Sequence, residues 1–201
     1  MVISEAVQAD RRTAALTAGI ALILMALAAF FSFGYAHASL VVPGDAGATW
    51  HNIQSSSALY RAEIAGWVVI LICDVVVAWA LYVFLKPVHP ALSLLGAWLR
   101  LLYTAILAVA ILNLVYVQLL AKNDIAALQP QTMMFLEAFE AIWSIGLIVF
   151  GGHLLLVGGL AFRSDRIPKF IGVLLFIAAL GYLLIHMSYS FFPAFDKFTA
   201  I

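Results

Sequence analysis

Apolar residues fall in five long blocks, at about 13–36, 60–85, 91–121, 132–162 and 169–193, with short polar stretches between them. Each block reaches or exceeds the roughly 20 residues that cross a hydrocarbon core as a helix. The pattern predicts an all-α, polytopic transmembrane bundle of about five spans in a single domain, 1–201. The second block, Ile64 to Val88, holds a lone acidic residue near its middle, Asp74, and closes with Lys86-Pro87. A carboxylate at that depth costs about 3 kcal/mol to insert unless something pairs with it.

The junctions supply direction. Arg11, Arg12, Lys86, Arg163, Arg166 and Lys169 fall on one side of the blocks, and Arg61, Lys122 and Lys197 on the other. The positive-inside rule then places the N-terminus in the cytoplasm and the C-terminus outside. Arg11-Arg12, an apolar run and Ala36-His37-Ala38 imitate a signal peptide, but the run outlasts the roughly 7–15 residues of a signal core and reads as an uncleaved first span. The KPVHP and RSDRIPK stretches are tight, proline-marked turns, making spans 2 and 3, and spans 4 and 5, hairpin neighbours. The segment 37–59 reads as an outer loop, with VVPGDAG a turn and a helix starting at Thr49 as N-cap that lies along the interface or extends span 2 outwards. Trp50, Tyr60, Tyr116, Trp143, Tyr189 and Phe191-Phe192 would suit an aromatic belt. Gly151-Gly152 and Gly158-Gly159, seven residues apart, read as close helix packing rather than a hinge.

Counting about 1.5 Å per residue from the junction charges puts Asp74, Arg100 and His153 at one depth, about 15–18 Å in. Arg100 can fork onto the Asp74 carboxylate, His153 can join as a third member, and Tyr103 and Thr104 share the Arg100 face. Such a cluster serves either as a clamp on helix register or as a polar pocket for a head group or a proton. A second layer, roughly 34–39 Å from the same charges, holds Glu63, Asn113, Glu137 and Glu140. Glu137, Glu140 and Ser144 share a helical face, and Arg61 could pair with one of these glutamates. Interfacial glutamates are most often hydrated. On a straight helix His153 points away from Glu137 and Glu140. His37, His51 and His89 read as loop or interface residues, and His186 as a packed or hydrogen-bonded one.

Composition narrows the classes. The chain is 66% hydrophobic and 10% charged, against about 25% charged in a soluble domain, so most of its surface is expected to face lipid. Ten basic and ten acidic residues cancel, which argues against nucleic acid as a partner. Cys73 stands alone, so neither an internal disulfide nor a cysteine metal site is available; it reads as a small buried hydrophobe. Two span histidines at depths differing by about 10 Å suit neither one haem nor one zinc. No cofactor and no metal are expected, and no hydrolase or nucleotide-binding pattern appears.

HNIQSSSALYRAEI, CDVVVAWALYVFLKPV, AWLRLLYTAIL and FGGHLLLVGGLAFRSDRIPKFIGVLLFIAALGYL resemble a bacterial membrane family catalogued as domain of unknown function 4386. The resemblance runs from about His51 to Leu183 and singles out Asn52, Arg61, Asp74, Arg100 and His153. Lys86 stands where that family often has arginine, and Gly-Gly-His where Gly-Leu-His is expected. The resemblance implies a multi-pass protein of a bacterial cytoplasmic membrane and no activity.

The combined reading is an integral membrane protein that binds a lipid-like or apolar ligand, or a partner membrane protein, around Asp74, Arg100, His153 and Tyr103. Membrane lipid and a second copy of the chain are the other expected partners. The alternatives are an intramembrane enzyme, with His153 as base oriented by Asp74, and a proton-coupled carrier.

Overall fold

The computed structural model describes residues 2–122 and 126–192, with side chains from residue 10 onward except residue 126. It is all-helical, and no strand occurs among the described residues. Helix α1 (Val2–Ala29) passes into a π-helical segment (Phe30–His37) and the short α2 (Ala38–Leu40). Then come α3 (Ala46–Ser55), α4 (Ser57–Leu85), α5 (Pro90–Ala121), α6 (Gln129–Arg163) and α7 (Lys169–Phe191). A turn of 3-10 helix, Ala126–Leu128, precedes α6.

Five helices are long and apolar enough to cross a membrane: Asp10–Leu40, Ser57–Leu85, Pro90–Ala121, Gln129–Arg163 and Lys169–Phe191. They match the five apolar blocks to within a few residues at each end. Residue 193 of the last block and Lys197 lie outside the described residues. Phe170, Leu174, Ile177, Leu180 and Leu184 stand exposed along α7. Contiguous apolar surface of this kind is stable only against an apolar medium or another protein.

The chain divides into two compact units. Unit 1 contains the described parts of Met1–Leu22, Asp74–Ile106 and Ser144–Ile201; unit 2 contains Ile23–Cys73 and Leu107–Trp143. Within unit 1, glycines on α6 let α7 approach closely. A Cβ on Gly151 would sit 2.9 Å from Leu183 Cγ and 3.3 Å from the Ala179 carbonyl. Gly158 packs in the same way, a built Cβ lying 3.5 Å from the Gly172 carbonyl. α6 runs unbroken through Gly151-Gly152, so these residues serve packing rather than a hinge.

Several local expectations are overturned. Most of the supposed outer loop is helical: residues 37–40 continue the first helix, and α3 occupies 46–55. The N-cap of α3 is Asp45, whose Oδ1 accepts from the Ala48 N–H at 2.8 Å. Thr49 lies inside that helix, its hydroxyl bonded to the Val42 backbone. A short carboxylate reaches the orphan N–H groups of a first turn, which leaves the threonine free to tie down the preceding turn. α3 does not prolong span 2, because Ser56 breaks the helix at φ −117°, ψ 39°. Trp50 and Tyr60 are buried and Trp143 packs in an aromatic cluster, so these three do not form a surface belt. Tyr116, Tyr189, Phe191 and Phe192 are exposed. Cys73 is buried.

Gly151→Val forces a branched side chain against α7 and is expected to cost about 1–3 kcal/mol, the usual penalty for overpacking. Gly159→Ala, where a Cβ meets nothing within 4 Å, is expected to leave thermal unfolding in detergent unchanged. Equal melting temperatures for the two variants would contradict this packing account.

Candidate functional site

Asp74 on α4, Arg100 on α5 and His153 on α6 meet in unit 1, and all three are buried. Arg100 Nη2 lies 2.7 Å from Asp74 Oδ1. Arg100 Nη1 donates to His153 Nε2 at 3.3 Å. His153 Nδ1 in turn donates to the Gly96 carbonyl at 2.8 Å. A guanidinium has only donors, so Nε2 must accept and Nδ1 carries the proton; the imidazole is the neutral tautomer. The guanidinium also lies over the Phe150 ring, 5.4 Å from its centroid, and Phe150 stacks on His153. Asp74 Oδ2 has no hydrogen-bond donor among the described residues.

Three helices are therefore tied at one level by one guanidinium. Tyr103 is buried and packs on Phe150 at 4.9 Å between ring centroids. Thr104 donates to the Arg100 carbonyl on its own helix, so its hydroxyl is spent locally. His186 is hydrogen bonded to Ser144 at 3.0 Å. Ser144 Oγ also lies 3.4 Å from Ser190 Oγ on α7.

Unit 2 holds a second cluster that a reading by blocks overlooks. His37 is buried, and its Nδ1 donates to Glu63 Oε1 at 2.7 Å. Its Nε2 lies 3.6 Å from Glu140 Oε1. Glu63 is fully buried, while the Glu140 side chain is 45% exposed. Phe33 stacks on the His37 ring, and Phe139 lies 5.9 Å away between centroids. Trp67, Phe139 and Trp143 continue the aromatic packing. The π segment positions His37: its wider turn carries an extra residue and re-aims the side chains that follow. Ser32 on that segment comes so close to α4 that its Oγ lies 2.0 Å from where a Gly66 Cβ would sit. A side chain there would force the Ser32 hydroxyl to move.

His37 is thus no loop residue, and Glu63 is buried rather than exposed at an interface. The block reading placed His37 just past the end of the first apolar run, and the π turn carries the helix beyond that end. The available signal was Glu63 itself, a carboxylate one helical turn from Tyr60 and one from Trp67, on a face that is otherwise buried.

The remaining candidates separate. Glu137 is exposed, and Asn113 donates to the Val109 and Ala110 carbonyls of its own helix. Asn52 donates to the Leu40 carbonyl at 3.2 Å. Arg61 donates to the Ser57 carbonyl; among the described residues no ion pair joins it to Glu63, Glu137 or Glu140. Instead it borders a cavity of about 470 Å³ in unit 2, together with Lys122, Gln54, Gln118, Tyr60 and Ile53. Tyr60 anchors one wall by donating to the Leu114 carbonyl at 3.0 Å, and Gln54 donates to the Ala121 carbonyl. Among the described residues no group of three or more His, Cys, Asp or Glu side chains is arranged to hold a metal ion.

Asp74→Asn strands a buried guanidinium and is expected to cost about 3–5 kcal/mol in thermal unfolding, with Arg100→Gln added to it recovering part of the loss. A double variant less stable than Asp74→Asn would mean that the contacts of Arg100 with His153 and Phe150 outweigh the cost of leaving it without its carboxylate. In unit 2, Glu63→Leu removes the acceptor of His37 and is expected to cost about 1–3 kcal/mol. Glu137→Leu, on the exposed face, should stay within about 0.5 kcal/mol of wild type.

No solved structure matches the chain. An uncharacterized protein of Archaeoglobus fulgidus is 37% identical over 122 residues, which cover 61% of this chain and 64% of the relative's own length. With an archaeal relative present, the resemblance does not by itself assign a bacterial source. The family described as domain of unknown function (DUF4386) matches residues 17–201, a stretch that takes in both clusters, and this chain belongs to that family.

Proposed function

We propose that the protein is a multi-pass component of the cell membrane, N-terminus inside, that binds an amphiphile with an anionic head group at the Arg61 cavity. The observation that carries this reading is the lining. Two cations, Arg61 and Lys122, and two amides, Gln54 and Gln118, border one cavity in which no acidic side chain takes part. Its volume of about 470 Å³ falls within the roughly 300–1,000 Å³ of small-ligand sites. Guanidinium and ammonium groups attract a head group, the Gln118 amide supplies a further donor, and Ile53 and Ala121 offer apolar contact for a chain.

In this reading the Asp74–Arg100–His153 cluster is a clamp. Each imidazole nitrogen of His153 is engaged, Nε2 by Arg100 and Nδ1 by Gly96. A general base needs an accepting nitrogen within reach of substrate, and here that lone pair already accepts from a guanidinium. Asp74 faces Arg100 rather than orienting the ring. These contacts favour a binding role over an enzyme built on the His/Asp pair. The proton-coupled alternative finds its support in unit 2, where His37 stands between buried Glu63 and half-exposed Glu140.

Native mass spectrometry of gently extracted full-length protein tests the binding reading. Wild type is expected to retain an anionic amphiphile. Arg61→Gln with Lys122→Gln is expected to lose about tenfold or more of it, as removal of charge-assisted bonds implies. A bare wild type, or equal retention by the folded variant, would refute the assignment.

A further inference from the structure

A second concentration of positive charge lies in unit 1 and has no part in the Arg61 cavity. Arg163 closes α6, and Arg166 sits in the turn that leads to α7. With Arg11 of α1 and the Pro87–Val88 turn they border a cavity of about 270 Å³, which Ser164 and Asp165 complete. Three guanidinium groups face one carboxylate there, three minus one leaving two positive charges in the lining. Among the described residues no ion pair joins Asp165, or the exposed Asp10, to any of these arginines.

The backbone acceptors at this corner already have a donor. A helix C-terminus leaves carbonyls that attract cations, and at the end of α6 Lys169 Nζ donates to the Phe162 and Ser164 carbonyls. Ser164 Oγ accepts from the Arg166 N–H at 3.2 Å, which sets the shape of the turn. Arg11 lies with its guanidinium 5.6 Å from the Phe84 ring centroid. Its Nε is buried and finds no hydrogen-bond acceptor among the described residues. A buried guanidinium N–H without an acceptor is destabilising, and an anion bound to that guanidinium offers it one.

We propose that this cavity is a binding site for a phosphoryl group, held by Arg11, Arg163 and Arg166. The geometry of the donors selects the chemistry. The guanidinium fork matches two oxygens of a tetrahedral anion, and arginine is favoured over lysine where that bidentate fit matters. Like-charged side chains gathered at one cavity repel each other, so a bound dianion or monoanion stabilises the arrangement that binds it. The phosphoryl group has two possible sources, a lipid head group or free phosphate. The position of the site, at the junctions between apolar helices, is where basic clusters meet anionic lipid head groups.

Full-length protein is placed in nanodiscs of phosphatidylcholine with a minor fraction of phosphatidylglycerol, released, and weighed by native mass spectrometry. Wild type is expected to retain phosphatidylglycerol in preference to phosphatidylcholine. Arg163→Gln with Arg166→Gln is expected to retain about tenfold less, and Arg163→Lys with Arg166→Lys an intermediate amount. Arg11→Gln serves as a second variant at a different helix, and thermal unfolding confirms that each protein is folded. In detergent, inorganic phosphate is titrated against the same proteins. Arginine-dependent phosphate binding that displaces the lipid supports the site and assigns it to a soluble phosphate. Arginine-dependent lipid retention that phosphate does not displace supports it and assigns a head group. Wild type without preference for either probe, or folded glutamine variants equal to wild type, would overturn the proposal.

Discussion

The buried contact between Arg100 and Asp74 is the constraint on which unit 1 depends. Neither group can be left alone in an apolar interior, where the effective cost of an unpaired ion is several kcal/mol. Pairing them at 2.7 Å fixes the relative heights of α4 and α5 within that unit. His153 extends the same constraint to α6 through the second guanidinium nitrogen. The Gly96 carbonyl, held by His153 Nδ1, closes the arrangement back onto α5. A single cation thus determines the register of three helices, which side-chain packing between apolar surfaces in lipid does only weakly.

Unit 2 solves a similar problem by a different route. Glu63 is buried without a guanidinium, and its partner is an imidazole brought in by a π turn. Aromatic rings rather than a salt-bridge network enclose the pair, with Phe33 against His37 and Trp67 against Phe139. The result is a carboxylate connected through His37 to a half-exposed second carboxylate, Glu140. Polar chemistry here is graded from buried to exposed, whereas Asp74, Arg100 and His153 in unit 1 are all buried.

The two cavities share a chemical logic. Each is bordered by cations that no ion pair among the described residues neutralises, and each draws those cations from junctions between apolar helices. Charges placed at junctions orient a chain during insertion. In the two proposed sites the same charges, gathered around a cavity by a turn or a second helix, are the groups that would recognise an anion. Orientation and ligand binding can therefore rest on the same residues.

The sequence by itself determined the number of spans and the cost that Asp74 imposes. Both follow from length, apolar content and the dielectric of a bilayer, which do not depend on fold. It also determined that Asp74, Arg100 and His153 lie at one depth, because a helix rises by a constant amount per residue. Depth alone could not decide which groups bond. Only the tertiary structure showed that Arg100 sits between the other two and that Thr104 turns back to its own helix. It alone placed His37 against Glu63, since a π turn changes the angular position of every residue beyond it and period counting assumes that no such turn occurs. Gathering Arg11, Arg163 and Arg166 around one cavity was likewise a tertiary decision: residues about 150 positions apart share a site only because the helices that carry them pack at the same end of unit 1.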